Sequence, residues 1–494
     1  MESFHLVIQL ISIIYLYKTT FALKDNIIVN TNSGLVKGKL NEFQGFQYYS
    51  FQGIPYAEST KGESRFKPPV PKKPWSYILD ATQKGPVCPQ VEFRYKRSDM
   101  NEDCLHLNIF APSNRTKLLP AFVNIHGGGY HMLSGNADFM YGPQYLLQRN
   151  IVYVSMNNRL HALGFLSLNT KDACGNSGLK DIILSLKWIK ENLKYFGGDT
   201  NKITIGGNSS GGTMAHILTL SNIANGLFQQ VIILSGNAFS FKSIARHPEN
   251  IAFTFGKELG IEANDSSTLL KLLKKTDVFD ITDAFQRIYE ANENNLSPYY
   301  GFIPSIDKMC EEPSVTDEPD KLLQIQLLNG TSQVPTLVGY TSNEGAYLTT
   351  SNNLNKFHTF KELEILIPLD IQYPAGSKEA KELAQAIAYF YFGKNNIWDG
   401  KDFCLMYFVD FLIKLCIYIN YIFFRNPTPI HKKHEPVWLE YGKERNVFLM
   451  NDNSRVIRRG LLSRTAKFNF WDQVYQDYSD YIKRGSTLIR KTEA

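Results

Sequence analysis

Five short apolar runs punctuate the chain, and each ends on glycine or a polar residue. They are "AFVNIHGGG" from Ala121, "IVYVSMNN" from Ile151, "KITIGGN" from Lys202, "VIILSG" from Val231 and "TLVGYTSNEG" from Thr336. They are rich in β-branched and aromatic residues, the composition of strands. Between them lie stretches of helical spacing, clearest in "GLKDIILSLKWIKENLKYFG" (Gly178–Gly197). Strands alternating with helices predict an α/β fold: a mostly parallel central sheet with helices on both faces. In such sheets chemistry gathers at the carboxyl ends of the strands. The glycine-rich endings all fall there. No internal repeat and no low-complexity linker interrupts the pattern.

A longer apolar stretch, Phe403–Phe424, could span a bilayer by length alone. Asp410 and Lys414 lie in its middle, each costing about 2.5–3.5 kcal/mol at the bilayer centre. Their i,i+4 spacing lets them pair on one face, so a buried helix is expected. At the amino terminus an apolar run from Leu6 to Tyr17 precedes the small-x-small sequence Thr20-Phe21-Ala22. That is the layout of a secretory signal peptide over residues 1–22, although its first residues hold no Lys or Arg. A retained membrane anchor is the alternative. The expected protein is secreted, with no membrane span once the leader is removed.

Composition narrows the classes further. Of 494 residues, 43% are hydrophobic and 13% aromatic, enough for a large core, and 20% are charged with mixed sign. The net charge of +6 is dispersed, so no nucleic-acid partner is implied, and "PKKP" and "HKKHE" read as solvated surface. Six cysteines in a secreted chain point to one or two disulfides. Cys88 and Cys104 bracket a polar loop that a bridge would close at a gain of up to ~3 kcal/mol. Cys174, Cys310, Cys404 and Cys416 have no partner legible in the sequence, and Cys174 is expected as a free thiol. Sequons at Asn114, Asn264, Asn295 and Asn329 are glycosylation candidates. Asn208 also begins a formal sequon, and it is expected to be buried and unmodified.

The chemistry concentrates in two motifs. "GGNSSGG" (Gly206–Gly212) contains G-x-S-x-G, which can hold Ser209 on a strained elbow between strand and helix. By chance such a pattern arises roughly 0.17 times in a chain of this length, so alone it decides nothing. "NIHGGGY" (Asn124–Tyr130) also follows a strand. Its glycines let the backbone approach a ligand and leave N–H groups pointing into a pocket. Acyl transfer needs such donors for the oxyanion of its tetrahedral intermediate, and Gly128, Gly129 and the N–H of Ser210 fit that need. The two motifs in this order favour catalysis over structural turns.

With these motifs the sequence resembles the type-B carboxylesterase/lipase family, the cholinesterase-like branch of the α/β-hydrolases. "FQGIPYAEST", "SRFKPP", "NEDCLHLNIF" (Asn101–Phe110), "NNRLHALGFLS", "GNSGLKD" and "FWDQVY" match family stretches in order over nearly the whole chain. The resemblance implies one α/β-hydrolase domain over residues 23–494 and a serine carboxylic ester hydrolase that forms an acyl-enzyme on Ser209. It implies Glu344 in "TSNEGAY" as the triad acid, Ser235 in "LSGNA" as a supporting serine, and a Cys88–Cys104 disulfide. The expected partner is a small-molecule carboxylic ester, with no cofactor and no metal. Asn208 replaces the glutamate common before the nucleophile. The loop between Cys88 and Cys104 holds Phe93 and Tyr95 but lacks the cholinesterases' tryptophan, which disfavours choline esters.

The family's catalytic histidine precedes a helix ending in N-P-T-P, present here at Asn426–Pro429. Between Glu344 and Asn426 the only histidine is His358, too near the acid in sequence. A segment is therefore expected to be missing near residues 395–415. His431 and His434 follow the landmark and are the candidate substitutes; as a metal site "HKKH" lacks a third ligand. Two readings follow: an esterase whose base is not identified, or a non-catalytic cholinesterase-like binding or adhesion protein.

Overall fold

The computed structural model describes residues 26–136, 142–240, 243–294, 301–330, 334–340, 373–374 and 376–392, the strands Asn446–Met450 and Arg455–Arg459, and residues 473 and 477. The leader, Asn295, Cys404, Cys416, the apolar stretch 403–424 and the region 395–415 lie outside the described residues. By internal packing the chain divides into residues 1–238 with 242–334, and residues 239–241 with 335–494.

In the first unit, β1 (Asn26–Thr31), β2 (Gly34–Phe43) and β3 (Phe46–Pro55) run antiparallel because tight turns join them. Gln44 and Gly45, at φ 52° and 78°, form the two-residue turn between β2 and β3, with the positive φ pair that matches strand twist. A short β4 (Ile78–Asp80) lies parallel on β2. β5 (His106–Pro112) pairs antiparallel with both β3 and β7 (Val152–Met156). From there the sheet is parallel: β7, β6 (Leu119–Ile125), β8 (Gly198–Asn208) and β9 (Gln230–Leu234) lie side by side. The sheet is mixed, antiparallel over its first strands and parallel from β7 to β9. The physical reason is the hairpins of the first strands, which parallel pairing forbids.

Helices surround this sheet, as the alternating apolar runs require. The first two are short: α1 (Gln144–Leu147) and α2 (His161–Phe165). The main one, α3 (Ser177–Asn192), buries Leu179, Ile182, Ile183, Leu186 and Ile189, an i, i+3, i+4, i+7 stripe. Helix α4 (Ser210–Leu220) leaves β8 directly and is almost wholly buried. Next come α5 (Pro248–Glu258), α6 (Ser266–Lys275), α7 (Val278–Asn294) and α8 (Pro319–Leu328). The second unit holds β10 (Thr336–Gly339), α9 (Lys378–Phe392), and a hairpin of β11 (Asn446–Met450) and β12 (Arg455–Arg459). No helix among the described residues is long and apolar enough to cross a membrane.

Buried ion pairs fix the loops. Arg159 donates to both carboxylate oxygens of Asp181, from Nε at 2.9 Å and from Nη2 at 2.6 Å, and its backbone N–H adds a third bond at 2.9 Å. Arg65 grips Glu102 in the same two-pronged way at 2.7 Å and caps α6 by donating to Thr276 O at 2.6 Å. With their hydrogen bonds complete, such pairs specify a geometry; removing one partner would strand a buried charge.

Cys88 and Cys104 are joined in a disulfide. Cys174 is not a free thiol: it is bonded to Cys310, 136 positions away. The pairing arises from tertiary contacts that spacing does not reveal. Asn176 Nδ2 donates to Ser305 O at 2.7 Å and its Oδ1 accepts from Ser305 N at 2.9 Å. Lys180 Nζ lies 3.0 Å from Asp307 Oδ2, so the loop after Ser305 is held against the start of α3. Replacing both residues (Cys174→Ser with Cys310→Ser) is expected to lower the unfolding free energy by about 2–5 kcal/mol in denaturant titration. An unshifted midpoint, with both native thiols alkylatable before reduction, would rule the bridge out.

Candidate active site

The elbow is built from glycines that make room for one another's backbones. β8 ends at Asn208, Ser209 takes φ 57° and ψ −129°, and α4 begins at Ser210. A side-chain-bearing residue at positive φ is strained, and only an over-determined surrounding maintains it. Here Ser209 N donates to Leu234 O at 2.8 Å, and Ser209 O accepts from Thr213 N at 2.9 Å. A Cβ on Gly211 would stand 2.2 Å from Ile125 O, and one on Gly207 2.4 Å from the Gly211 carbonyl carbon. A Cβ on Gly236 would meet Ser209 O at 2.3 Å. No larger residue fits at these three positions. Ser209 itself is exposed, at the positive end of the α4 dipole.

The same contacts bring the second motif alongside. Ile125 and His126, at the end of β6, press on Gly211, while Tyr130 N donates to Ser210 Oγ at 3.3 Å. Gly127, Gly128 and Gly129 therefore arch over the first turn of α4, touching it before and after the arch. Gly128 and Gly129 sit at φ 105° and 63°, and Gly128 O accepts the N–H groups of His131 and Met132 at 3.1 Å. Downstream, Asn157 Oδ1 accepts from Gly135 N at 2.8 Å, and Asn108 Nδ2 donates to Gly135 O at 3.0 Å. Asn157 Nδ2 also donates to Cys104 O at 3.0 Å, tying the disulfide to the same loop.

Four histidines around the site are buried and neutral. Burial pushes His126, His131 and His216 down to about 4 and His161 to about 3, outweighing the carbonyls beside His126, His131 and His161 that pull the other way. His216 Nδ1 accepts the N–H of Ala238 at 3.2 Å, which places its proton on Nε2. His126 Nδ1 lies 2.8 Å from Gly127 O. Among the described residues no histidine bonds Ser209 Oγ.

The structure thus sets the two ends of the glycine stretch, His126 and Tyr130, against Gly211 and Ser210, next to Ser209. Glu344, His358, His431 and His434 lie outside the described residues. Asn114, Asn264 and Asn329 are exposed, as glycan acceptors must be. Asn208 is half-buried rather than buried, because its side chain leaves the strand end toward Leu234 O at 3.5 Å instead of packing inward. Sequence reasoning missed Asn108, Asn157 and Gln90, which brace the glycine loop. Asn108 lies inside "NEDCLHLNIF", where position could have suggested it; nothing marks Gln90. No cluster of His, Cys, Asp or Glu able to hold a metal occurs among the described residues.

Comparison with known proteins identifies the family and the fold. The family model described as the carboxylesterase family matches residues 25–439. The juvenile hormone esterase of Heliothis virescens is 34% identical over 387 residues, covering 74% of this chain and 66% of the relative. The para-nitrobenzyl esterase of Bacillus subtilis is 31% identical over 360 residues, covering 72% of this chain and 70% of the relative. The crystal structure of juvenile hormone esterase from Manduca sexta, with OTFP covalently attached, matches at TM-score 0.68 and 30% identity, over 80% of this chain and 75% of that one. The chain spans about two thirds of the length of the curated relatives it matches.

The buried histidines make the fold acid-sensitive with a definite sign. Unfolded, each imidazole titrates near 6.5; folded, three refuse a proton until about 4 and one until about 3. The unfolded chain therefore binds more protons below pH 6.5. Stability should be level above that pH and fall toward pH 4, by up to about 1.4 kcal/mol per pH unit for each histidine. His216→Gln should make the slope of the denaturation midpoint between pH 6.5 and 4.5 shallower. A wild-type midpoint that stays flat over that range would contradict the assignment.

Proposed function

The chain belongs to the carboxylesterase family, and we propose that it is a secreted serine hydrolase of carboxylic esters, one catalytic domain over residues 23–494. Ser209 attacks the ester carbonyl; the oxyanion of the tetrahedral intermediate takes the N–H groups of Gly128, Gly129 and Ser210. Expulsion of the alcohol leaves the acyl group on Ser209, and water releases it as the acid. Glu344 orients the base and stabilises its charged form. The single observation that supports this most is the strained Ser209 elbow at φ 57°, exposed beside a glycine arch that contacts the same helix turn. Exposed sequons at Asn114, Asn264 and Asn329 fit a secreted glycoprotein.

Substrate preference follows from the disulfide loop. The loop holds Phe93 and Tyr95 but not the tryptophan that the resemblance to cholinesterases would put there, and the Arg94 guanidinium lies over the exposed Phe93 ring at 4.8 Å. Neutral acyl esters suit it better.

The second reading, a non-catalytic binding or adhesion protein, draws on one fact: His358 is the sole histidine between Glu344 and the N-P-T-P landmark. The two readings separate in one assay. Loss of the base alone costs roughly 10⁶ in kcat, leaving about 10³–10⁴ over water from oxyanion donors and binding. The chain is expected to turn over an activated neutral aryl ester slowly, faster than acetylcholine, with the residual rate lost in Ser209→Ala and Ser209 labelled slowly by a phosphonate. Fast turnover abolished by His431→Ala or His434→Ala would place the base there. A rate unaffected by Ser209→Ala would leave the binding-protein reading.

A further inference from the structure

The glycine arch is followed by two residues that resist their own conformation. Tyr130 and Leu133 sit at φ 70° and 75°, where a bulky side chain costs on the order of 1–3 kcal/mol. For Tyr130 the holders are Ser210 Oγ, which accepts its N–H at 3.3 Å, and His161 N, which donates to its carbonyl at 2.8 Å. For Leu133 the holder is one side chain, Gln90. Its Oε1 accepts Leu133 N–H at 2.7 Å, and its Nε2 donates to Leu133 O at 3.0 Å. The same Nε2 also donates to Cys88 O at 3.0 Å. Gln90 is 1% exposed, so water cannot replace these bonds.

The grip is transmitted in one step. The N–H that Gln90 holds belongs to the Met132–Leu133 peptide, and the carbonyl oxygen of that peptide packs on Gly128, where a Cβ would come within 2.1 Å. Rotating that peptide to relieve Leu133 would move Met132 O, so the conformations of Leu133 and Gly128 are coupled through it. Gln90 is itself anchored: its neighbour Pro89 offers its carbonyl to His161 Nε2 at 2.9 Å, and Cys88 is bonded to Cys104. Tyr95, in the same disulfide loop, meets Ser134 Oγ at 2.7 Å.

We propose that Gln90 is a positioning residue: by holding the left-handed Leu133 it fixes the arch that aims the Gly128 and Gly129 N–H groups at the Ser209 site. This rests on the serine-hydrolase reading, since only there do those N–H groups meet an oxyanion. The test uses the full chain with Gln90→Met, which keeps the volume and removes the hydrogen bonds, alone and combined with Leu133→Gly, which tolerates φ 75° without strain. Two readouts are taken: turnover of a neutral aryl ester, and deuterium exchange of the segment 127–135, with β7 as the internal folding reference.

Gln90→Met should lower kcat by about tenfold to a hundredfold with KM within about twofold, less than or equal to the loss of one oxyanion donor. Exchange should quicken in 127–135 but not in β7. Adding Leu133→Gly should recover at least about threefold of the kcat and part of the protection, which a general packing defect would not. Unchanged exchange in Gln90→Met, or a loss that Leu133→Gly leaves untouched, overturns the proposal. If wild-type turnover does not exceed that of Ser209→Ala, it is the serine reading that fails, and exchange alone then judges the grip of Gln90 on the loop.

Discussion

The site depends on one backbone contact: the end of β6 lies so close to the first turn of α4 that a methyl group on Gly211 would stand 2.2 Å from Ile125 O. Everything chemical is arranged by that approach. It sets the Ser209 elbow beside the glycine arch, and it demands glycine at Gly207 and Gly211 on one side and an extended β6 terminus on the other. The parallel pairing of β6 with β8, register Ile125 against Gly207, delivers both ends at the same height. The sheet therefore does more than carry loops. Its register fixes where the glycine stretch after β6 begins relative to Ser209.

Close approach carries a conformational cost, and the surrounding polar side chains offset it. Ser209, Tyr130 and Leu133 all lie at positive φ. Each is held by bonds from a different segment: Leu234 and Thr213 for Ser209, Ser210 and His161 for Tyr130, Gln90 for Leu133. Asn108 and Asn157 then hold Gly135 from both sides of its peptide. These are buried amides with nearly complete bonding, the condition under which a polar network specifies one geometry. The disulfide at Cys88–Cys104 contributes by fixing the backbone from which Gln90 and Asn157's partner Cys104 act.

Much of this was legible in the residues. The runs "KITIGGN" and "AFVNIHGGG" became β8 and β6, and the glycines at their ends mark where backbones meet. "GLKDIILSLKWIKENLKYFG" gave α3 and its apolar stripe. What stayed hidden are relations between distant segments. The antiparallel first strands depend on short turns that look like ordinary polar loops. The Cys174–Cys310 bridge depends on Asn176 meeting Ser305 and Lys180 meeting Asp307, pairs with no local signature. Gln90 is invisible for the same reason: a lone glutamine in a polar loop reads as surface until Leu133 is seen beside it.

The unassigned base is constrained by what the described histidines cannot do. A general base for serine must accept a proton in the transition state, so it works best with a pKa near the operating pH. His126, His131 and His216, held near 4, would each forgo about 4 kcal/mol of that driving force at pH 7, and His161 more. His216 spends its lone pair on Ala238 N–H, and His161 points Nε2 at Pro89 O. They act as neutral struts: an imidazole gives a flat, rigid body with polar edges, suited to packing beside the glycine arch. Within the serine reading none of these four is suited to be the proton acceptor. The polar contacts around the Ser209 elbow and the glycine arch hold both in one geometry, and these four imidazoles belong to that scaffold.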